Sequence, residues 1–341
     1  MTQDSHETPQ QTSQPIVSSS QGGPEEMKRA RAQLFKLINT QCGTEVGAWL
    51  SAQVESVCAE VKLSAPISER SAEVISALGQ PLLEARRIAS KRYLIVAFAE
   101  RDHAALNVPL GAVPIGHWRR DEAVKIWLIS EVVTRCAEST ETMDLLYQVY
   151  DATDTEGRVA CLRSLNFLGG SVSGGLKMIH DAGRTYLSEL MEAGWCHSPF
   201  ASRYLSDEEY RKAVLKSLFC DVPVSGFMGL EERADAELAR SLCEYADERE
   251  AAGRVVPSAV LRVAAFYPQP GLLARLIGRL EHPTAEERLT AAIGLERTGD
   301  PRALSFIQER VGREENREVS AALERAVCSL AAQEYHPASE A

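Results

Sequence analysis

The run Gly169-Gly170-Ser171-Val172-Ser173-Gly174-Gly175-Leu176-Lys177 is where the chain comes nearest to a phosphate cradle. Such a cradle needs Gly, four residues, then Gly-Lys-Ser/Thr after a strand, so that backbone N–H groups and the lysine surround the phosphates. Here Leu176 separates Gly175 from Lys177, Met178 stands where the hydroxyl belongs, and no strand precedes. The serines do not form a Gly-x-Ser-x-Gly elbow either. The run reads as a helix–helix connection. His180-Asp181 is the only His-Asp dipeptide, and a helical metal phosphohydrolase would need another His upstream and an Asp downstream. His103 and His117 could nominally serve, but no spacing fixes them, and no HExxH or His-x-x-Glu pattern supports a metal site. The eight cysteines form no CxxC unit, which leaves zinc ribbons and thioredoxin-like redox sites unsupported. They read as reduced thiols, with Cys58, Cys220 and Cys243 in helical apolar patterns.

The densest charged segment is 231–252, read as one helix closed by a left-handed Gly253. Ala234, Leu238, Leu242, Tyr245 and Ala246 share one face. Arg233 to Glu237 and Arg240 to Glu244 stand four apart on another, the spacing of solvated ion pairs worth about 0.2–0.5 kcal/mol each. Basic doublets occur at Arg86-Arg87, Lys91-Arg92 and Arg119-Arg120. With a net charge of −11, they read as surface or groove-edge charges, and nucleic acid is excluded as the default partner.

The elements that must position these residues are helices. Apolar residues recur at three and four from Val46 to Val61, and Ser68 to Leu78 gives another helix. Further helices are predicted at 121–136, 140–150, 155–168, 174–193, 206–220, 257–266, 270–281, 284–297, 301–312 and 315–333. Residues 105–118, with two prolines and two glycines, read as an irregular loop, and no strand ladder is expected. An Ala-Ala step recurs at 264–265, 291–292 and 321–322, and Gly299-Asp300-Pro301-Arg302 supplies a cap followed by Pro at a helix start. This resembles short HEAT-like repeats over 257–333. The predicted fold is all-α: a right-handed solenoid-like stack of antiparallel helix pairs, HEAT-like at the C-terminal end.

Composition agrees with that class: 45% hydrophobic, 25% charged and only 6% aromatic over 341 residues. The longest apolar stretch, Tyr93 to Ala99, falls far short of the about 20 residues a membrane span takes. The first 24 residues, mostly Gln, Ser and Thr, show neither a secretory nor a transit pattern and are expected to be a disordered tail. A short second tail is expected over 335–341, with the globular part at 25–334 and the chain in the cytoplasm.

The segment 183–254 carries a resemblance. Gly183-Arg184-Thr185, Ser198-Pro199-Phe200-Ala201, Val214-Leu215-Lys216-Ser217-Leu218-Phe219, then Gly229-Leu230-Glu231-Glu232-Arg233-Ala234-Asp235-Ala236-Glu237-Leu238-Ala239-Arg240 and Tyr245-Ala246-Asp247-Glu248-Arg249 through Gly253-Arg254 resemble the EboA family. The likeness extends over roughly 45–310 and marks a divergent member. His197-Ser198-Pro199-Phe200 replaces the family's Asn-Pro-Tyr-Pro-like loop, Arg211-Lys212-Ala213 stand where Asn-Gln is common, and Asp235 and Asp247 stand where Asn and His often occur.

The resemblance implies an all-helical protein encoded in ebo gene clusters of bacteria and some algae. There it sits beside a prenyltransferase-like membrane protein, a cyclase-like enzyme and hydrolases, in a pathway that makes or exports a secondary metabolite. It implies no catalytic residue, metal or cofactor. The expected role is a non-catalytic scaffold that binds proteins of the same pathway through a helical surface, extended concave faces being what solenoids present. The alternative is a binder or enzyme for an anionic, phosphorylated or prenylated small molecule in a basic pocket. The residues carried over by resemblance are Arg184, Lys216, Arg233, Glu237, Arg240, Glu248 and Arg249.

Overall fold

A computed structural model describes residues 23–335, with side chains placed through 332. Among the described residues the chain forms seventeen helices and one two-stranded hairpin, so the fold is all-α. The tails expected at 1–24 and 335–341 fall almost wholly outside the described residues. Pro24 already opens the first helix, with Gly23 as its N-cap and Glu26 closing a capping box. No described helix is long and apolar enough to cross a membrane.

The helices group into two compact units. The first holds residues through Leu146 together with Phe167–Val172. Its helices are α1 (Pro24–Cys42), α2 (Thr44–Glu60), α3 (Ile67–Ala89), the short α4 (Phe98–Arg101), α5 (Arg120–Cys136) and the start of α6 (Thr142–Ala152). The centre is α5, which packs on α1, α2 and α3. It is buried almost all the way round, from Asp121 to Ser130, as a helix in the middle of a core must be. Several polar groups at this depth make long-range bonds, although both Asp121 carboxylate oxygens, fully buried, have no hydrogen-bond partner. Arg31 Nη1 donates to Phe167 O at 3.0 Å, Trp127 Nε1 donates to Arg31 O at 3.1 Å, and Arg70 donates to Cys136 O and Glu141.

The loop expected at 105–118 is in part a hairpin. Strand β1 (Ala105–Val108) pairs antiparallel with β2 (Gly111–Pro114), Leu106 opposite Val113. Leu106, Val108 and Val113 point inward in alternation, a period-two signal too short to stand out among prolines. Pro109 sits in the turn and Pro114 at a strand end, where neither interrupts the ladder.

The second unit takes Tyr147–Asn166 and the residues from Ser173 onward. It contains α7 (Thr155–Ser164), α8 (Val172–Arg184), α9 (Ser188–Trp195), α10 (Pro199–Tyr204), α11 (Asp207–Phe219) and α12 (Ala236–Ala251). The C-terminal helices are α13 (Ser258–Ala264), α14 (Leu272–Arg279), α15 (Ala285–Thr298), α16 (Leu304–Val311) and α17 (Arg317–Tyr335). Here α13 packs on α12 and α15, α14 on α15, and α17 on α15 and α16. The first two Ala-Ala steps are buried at these contacts, Ala264, Ala265, Ala291 and Ala292 being inaccessible, whereas in the third Ala322 is buried and Ala321 exposed. Asp300 caps the turn at Pro301 by accepting from Arg302 N, and Gly299 takes the left-handed conformation (φ 63°).

Other sequence expectations change as well. The helix predicted at 174–193 is two helices, because the chain breaks at Thr185–Leu187 after α8. The glycine-rich run is not simply a connection, since Gly174 and Gly175 lie inside α8. Gly175 is needed there: a Cβ would stand 2.4 Å from the Phe200 ring. The helix predicted at 231–252 starts only at Ala236, capped by the Asp235 carboxylate on Leu238 N. The cysteines are free, but Cys42, Cys58 and Cys220 are half-buried and Cys328 is exposed.

Candidate functional site

The end of α11 and the last turns of α12 bring two of the sequence-derived residues to a cleft. Helix α11 is well founded at its start: the Ser206 hydroxyl accepts from Glu209 N, Glu209 reaches back to Ser206, and acids fill the first turn. It ends at Cys220, where Asp221 takes a left-handed φ of 55° and Val222 N returns to Ser217 O at 2.9 Å. A non-glycine residue there is strained. Helix α12 ends at Gly253 (φ 67°), and Arg254 N closes on Arg249 O at 2.8 Å. Tyr245 ties the two ends together, its hydroxyl donating to Leu218 O at 3.2 Å and its ring meeting Phe219 edge-on at 5.5 Å.

Between these ends lies a cleft of about 190 Å³ lined by Phe219, Asp221, Tyr245, Glu248, Arg249 and Arg254. A second depression of about 180 Å³ shares Leu218, Asp221, Tyr245 and Arg249 with it and reaches Ser217. Arg249 is oriented by one bond, Nε to Val255 O at 3.0 Å. Arg249, Arg254, Asp221 and Glu248 enter no ion pair within 4.0 Å among the described residues. Ser217 Oγ is fully buried and has no hydrogen-bond partner. Phe219 is 68% exposed. The cleft therefore offers two guanidiniums, two carboxylates and an aromatic wall. Such a set holds a small polar molecule by charge-assisted hydrogen bonds while its apolar part lies on Phe219 and Tyr245. Among the described residues no base reaches Ser217 Oγ.

The other expected site residues are spent within the fold. Arg184 ends α8 and pairs with Asp181 at 2.6 Å, largely exposed. Lys216 Nζ donates to Gly183 O and Thr185 O, a cation on the last carbonyls of α8. Arg233 does not pair with Glu237. It lies before α12, donates to Ser202 O and Leu205 O at 2.8 Å each, and pairs with Asp207 at 2.6 Å while stacking 4.1 Å from the Tyr210 ring centroid. Glu237 is met by Arg211 at 3.1 Å, and Arg211 also binds Asp235 at 2.6 Å. Arg240 and Glu244 form the expected rung at 2.7 Å. Only Glu248 and Arg249 line the cleft.

His180 and Asp181 turn to different partners. His180 Nε2 lies 2.9 Å from Glu209 Oε1, and Asp181 accepts from Tyr147 OH and Arg184. Among the described residues no group of three or more metal-ligating side chains comes together. In the His197-Ser198-Pro199-Phe200 segment, Ser198 caps α10 and donates to Asn166 Oδ1, which also accepts from Phe200 N. Burial holds the His197 imidazole below its ordinary value.

Sequence reasoning missed Ser217, Phe219, Asp221 and Arg254 as lining residues. Three of them sit at or just beyond a helix end, where the turn geometry decides which way a side chain faces. Gly253 was the available signal, because a left-handed cap sends the next residue back over the last turn.

The family model of "Metabolite traffic protein EboA" matches residues 31–265. No curated protein and no solved structure matches the chain. The family match ends just after the cleft, so α11, α12 and the Gly253 cap all lie within it. With more than half of its length matched, the chain belongs to the EboA family.

Proposed function

We propose that the protein is a non-catalytic accessory of metabolite traffic in an ebo-type secondary-metabolite pathway, and that the α11–α12 cleft holds the metabolite. The observation that carries this reading is the set of unpaired charges around Tyr245: Arg249, Arg254, Asp221 and Glu248. Elsewhere in the expected set, cations and anions satisfy each other or cap carbonyls. A carboxylate or phosphate fits the two guanidiniums, with apolar atoms on Phe219.

Native mass spectrometry of the protein purified from its host tests this. The wild type retains a small acidic molecule, and Arg254→Ala and Arg249→Ala lose it at an unchanged melting temperature. A wild type that carries nothing, with pathway output intact in both variants, refutes the reading.

The scaffold reading has its own support in α13–α17. Each helix there packs on its neighbours, and the Ala-Ala steps let the backbones approach. Such neighbour-on-neighbour packing supports reading these helices as HEAT-like pairs. On this reading 257–333 is the repeat-like end of one cytoplasmic helical domain, 25–334, and its surface receives proteins of the same pathway.

A further inference from the structure

The longest apolar stretch of the sequence, Tyr93–Ala99, is only half used by the core. Leu94 and Ile95 are buried, but Phe98 is 79% exposed, Val96 59% and Tyr93 47%. The loop is held in that state. Leu94 N donates to Trp118 O at 2.8 Å and Arg120 N to Arg92 O at 2.9 Å, which fixes its base. Arg101 fixes its crown: Nε donates to Ile95 O at 2.9 Å, Nη2 to Val96 O at 3.2 Å, and the guanidinium lies 3.9 Å from the Tyr93 ring centroid. Arg101 covers part of the Tyr93 and Phe98 rings, and the apolar surface left exposed on this solvated loop has a cost in water.

The segment runs against the charge of the whole: from Ala85 to Ala99, Arg86, Arg87, Lys91 and Arg92 are all exposed and no residue is acidic, in a chain of net charge −11, while Glu84 stands 3.9 Å from Arg87 and the exposed Glu100 and Asp102 follow. Leu83, also exposed, lies on the Arg86–Arg87 face of α3 at i+3 and i+4. Aromatic and aliphatic tips preceded in the chain by four exposed cations match an anionic bilayer surface: the tips enter the headgroup boundary and the cations stay with the phosphates. A symmetric contact with a second copy would set the four cations against themselves.

We propose that the Tyr93–Ala99 loop, with the basic residues that precede it, docks the protein peripherally on membranes rich in anionic lipid. Pre-ordering by Arg101 lowers the entropy that docking has to overcome. The α11–α12 cleft plays no part in this proposal, and the two fail separately.

Vesicle flotation of the full chain tests it, using phosphatidylcholine vesicles with or without ~30 mol% phosphatidylglycerol. The protein floats with the anionic vesicles only, and far less at about 0.5 M than at about 0.05 M salt. Phe98→Ser and the pair Lys91→Glu/Arg92→Glu each lower partitioning about tenfold, whereas Phe306→Ser, an exposed aromatic on α16, leaves it unchanged. Circular dichroism confirms that each variant is folded. No flotation, or flotation that Phe98→Ser does not weaken, overturns the proposal. So does a dimer that Phe98→Ser dissolves while vesicle binding is absent, which would give the face to a second copy.

Discussion

Glu314 shows how a single residue is set by its neighbours. Its side chain is fully buried, accepts from Arg288 Nε at 2.7 Å and Nη2 at 2.9 Å, and accepts again from Arg310. The Arg288 bonds hold its carboxyl at about 2, against the pull of burial in the other direction. A folded value below the unfolded one, about 4.3, means the contribution is complete above that range and is lost as pH falls toward 2. Urea midpoints therefore drop between pH 5 and pH 2, and Glu314→Gln removes that part of the slope. At neutral pH the same variant costs about 3 kcal/mol, because two partly buried guanidiniums lose their charged acceptor. A Gln variant with unchanged midpoints at both pH values would contradict this. Nothing in the sequence separates Glu314 from Glu315 beside it; the packing of α14–α16 selects one.

At the scale of elements, the 105–118 segment is the clearest case of geometry hidden from periodicity. The hairpin needs Gly116 behind it: a Cβ there would stand 1.9 Å from the Arg101 carbonyl oxygen, which no side-chain shift relieves. Gly116→Ala is expected to destabilise by about 3 kcal/mol or more, whereas Gly169→Ala, with nothing within 4 Å, stays within about 0.5 kcal/mol. Equal denaturation midpoints for the two variants would sink the argument. Most helices were legible because their apolar residues recur at three and four, with caps such as Gly253 and Asp300 at the ends. The Arg233–Glu237 rung was not, because spacing alone does not reveal that the chain enters α12 only at Ala236. Arg233 then has a better partner set in two carbonyls and Asp207.

At the scale of the molecule, the first unit is discontinuous: residues up to Leu146 are completed by Phe167–Val172. Phe167 is fully buried there, 6.1 Å from the Trp118 ring, and its carbonyl accepts from Arg31. Phe167→Ala is expected to cost about 3–5 kcal/mol. A fragment ending at Leu146 should bind hydrophobic dye and show weak near-ultraviolet dichroism, since it lacks the residues that close the core. A fragment that melts sharply with native dichroism would show that the unit needs no such closure. The length of the chain suits one long stack or two units equally well, and only the contacts of Phe167 with Arg31 and Trp118 show where the first unit ends.

The sequence by itself determined the helical class, the caps, the family and the small-residue helix contacts, because each depends on residues a few positions apart. Tertiary structure decided which charges remain unpaired and which apolar residues stay outside. Lys216 and Arg249 look alike as cations near helix ends, yet one is spent on the carbonyls of α8 and the other faces a cleft. Leu94 and Phe98 belong to one apolar run, yet one is in the core and the other in solvent. Pairing and burial depend on what other elements bring to the same place, and residue spacing along the chain does not carry that information.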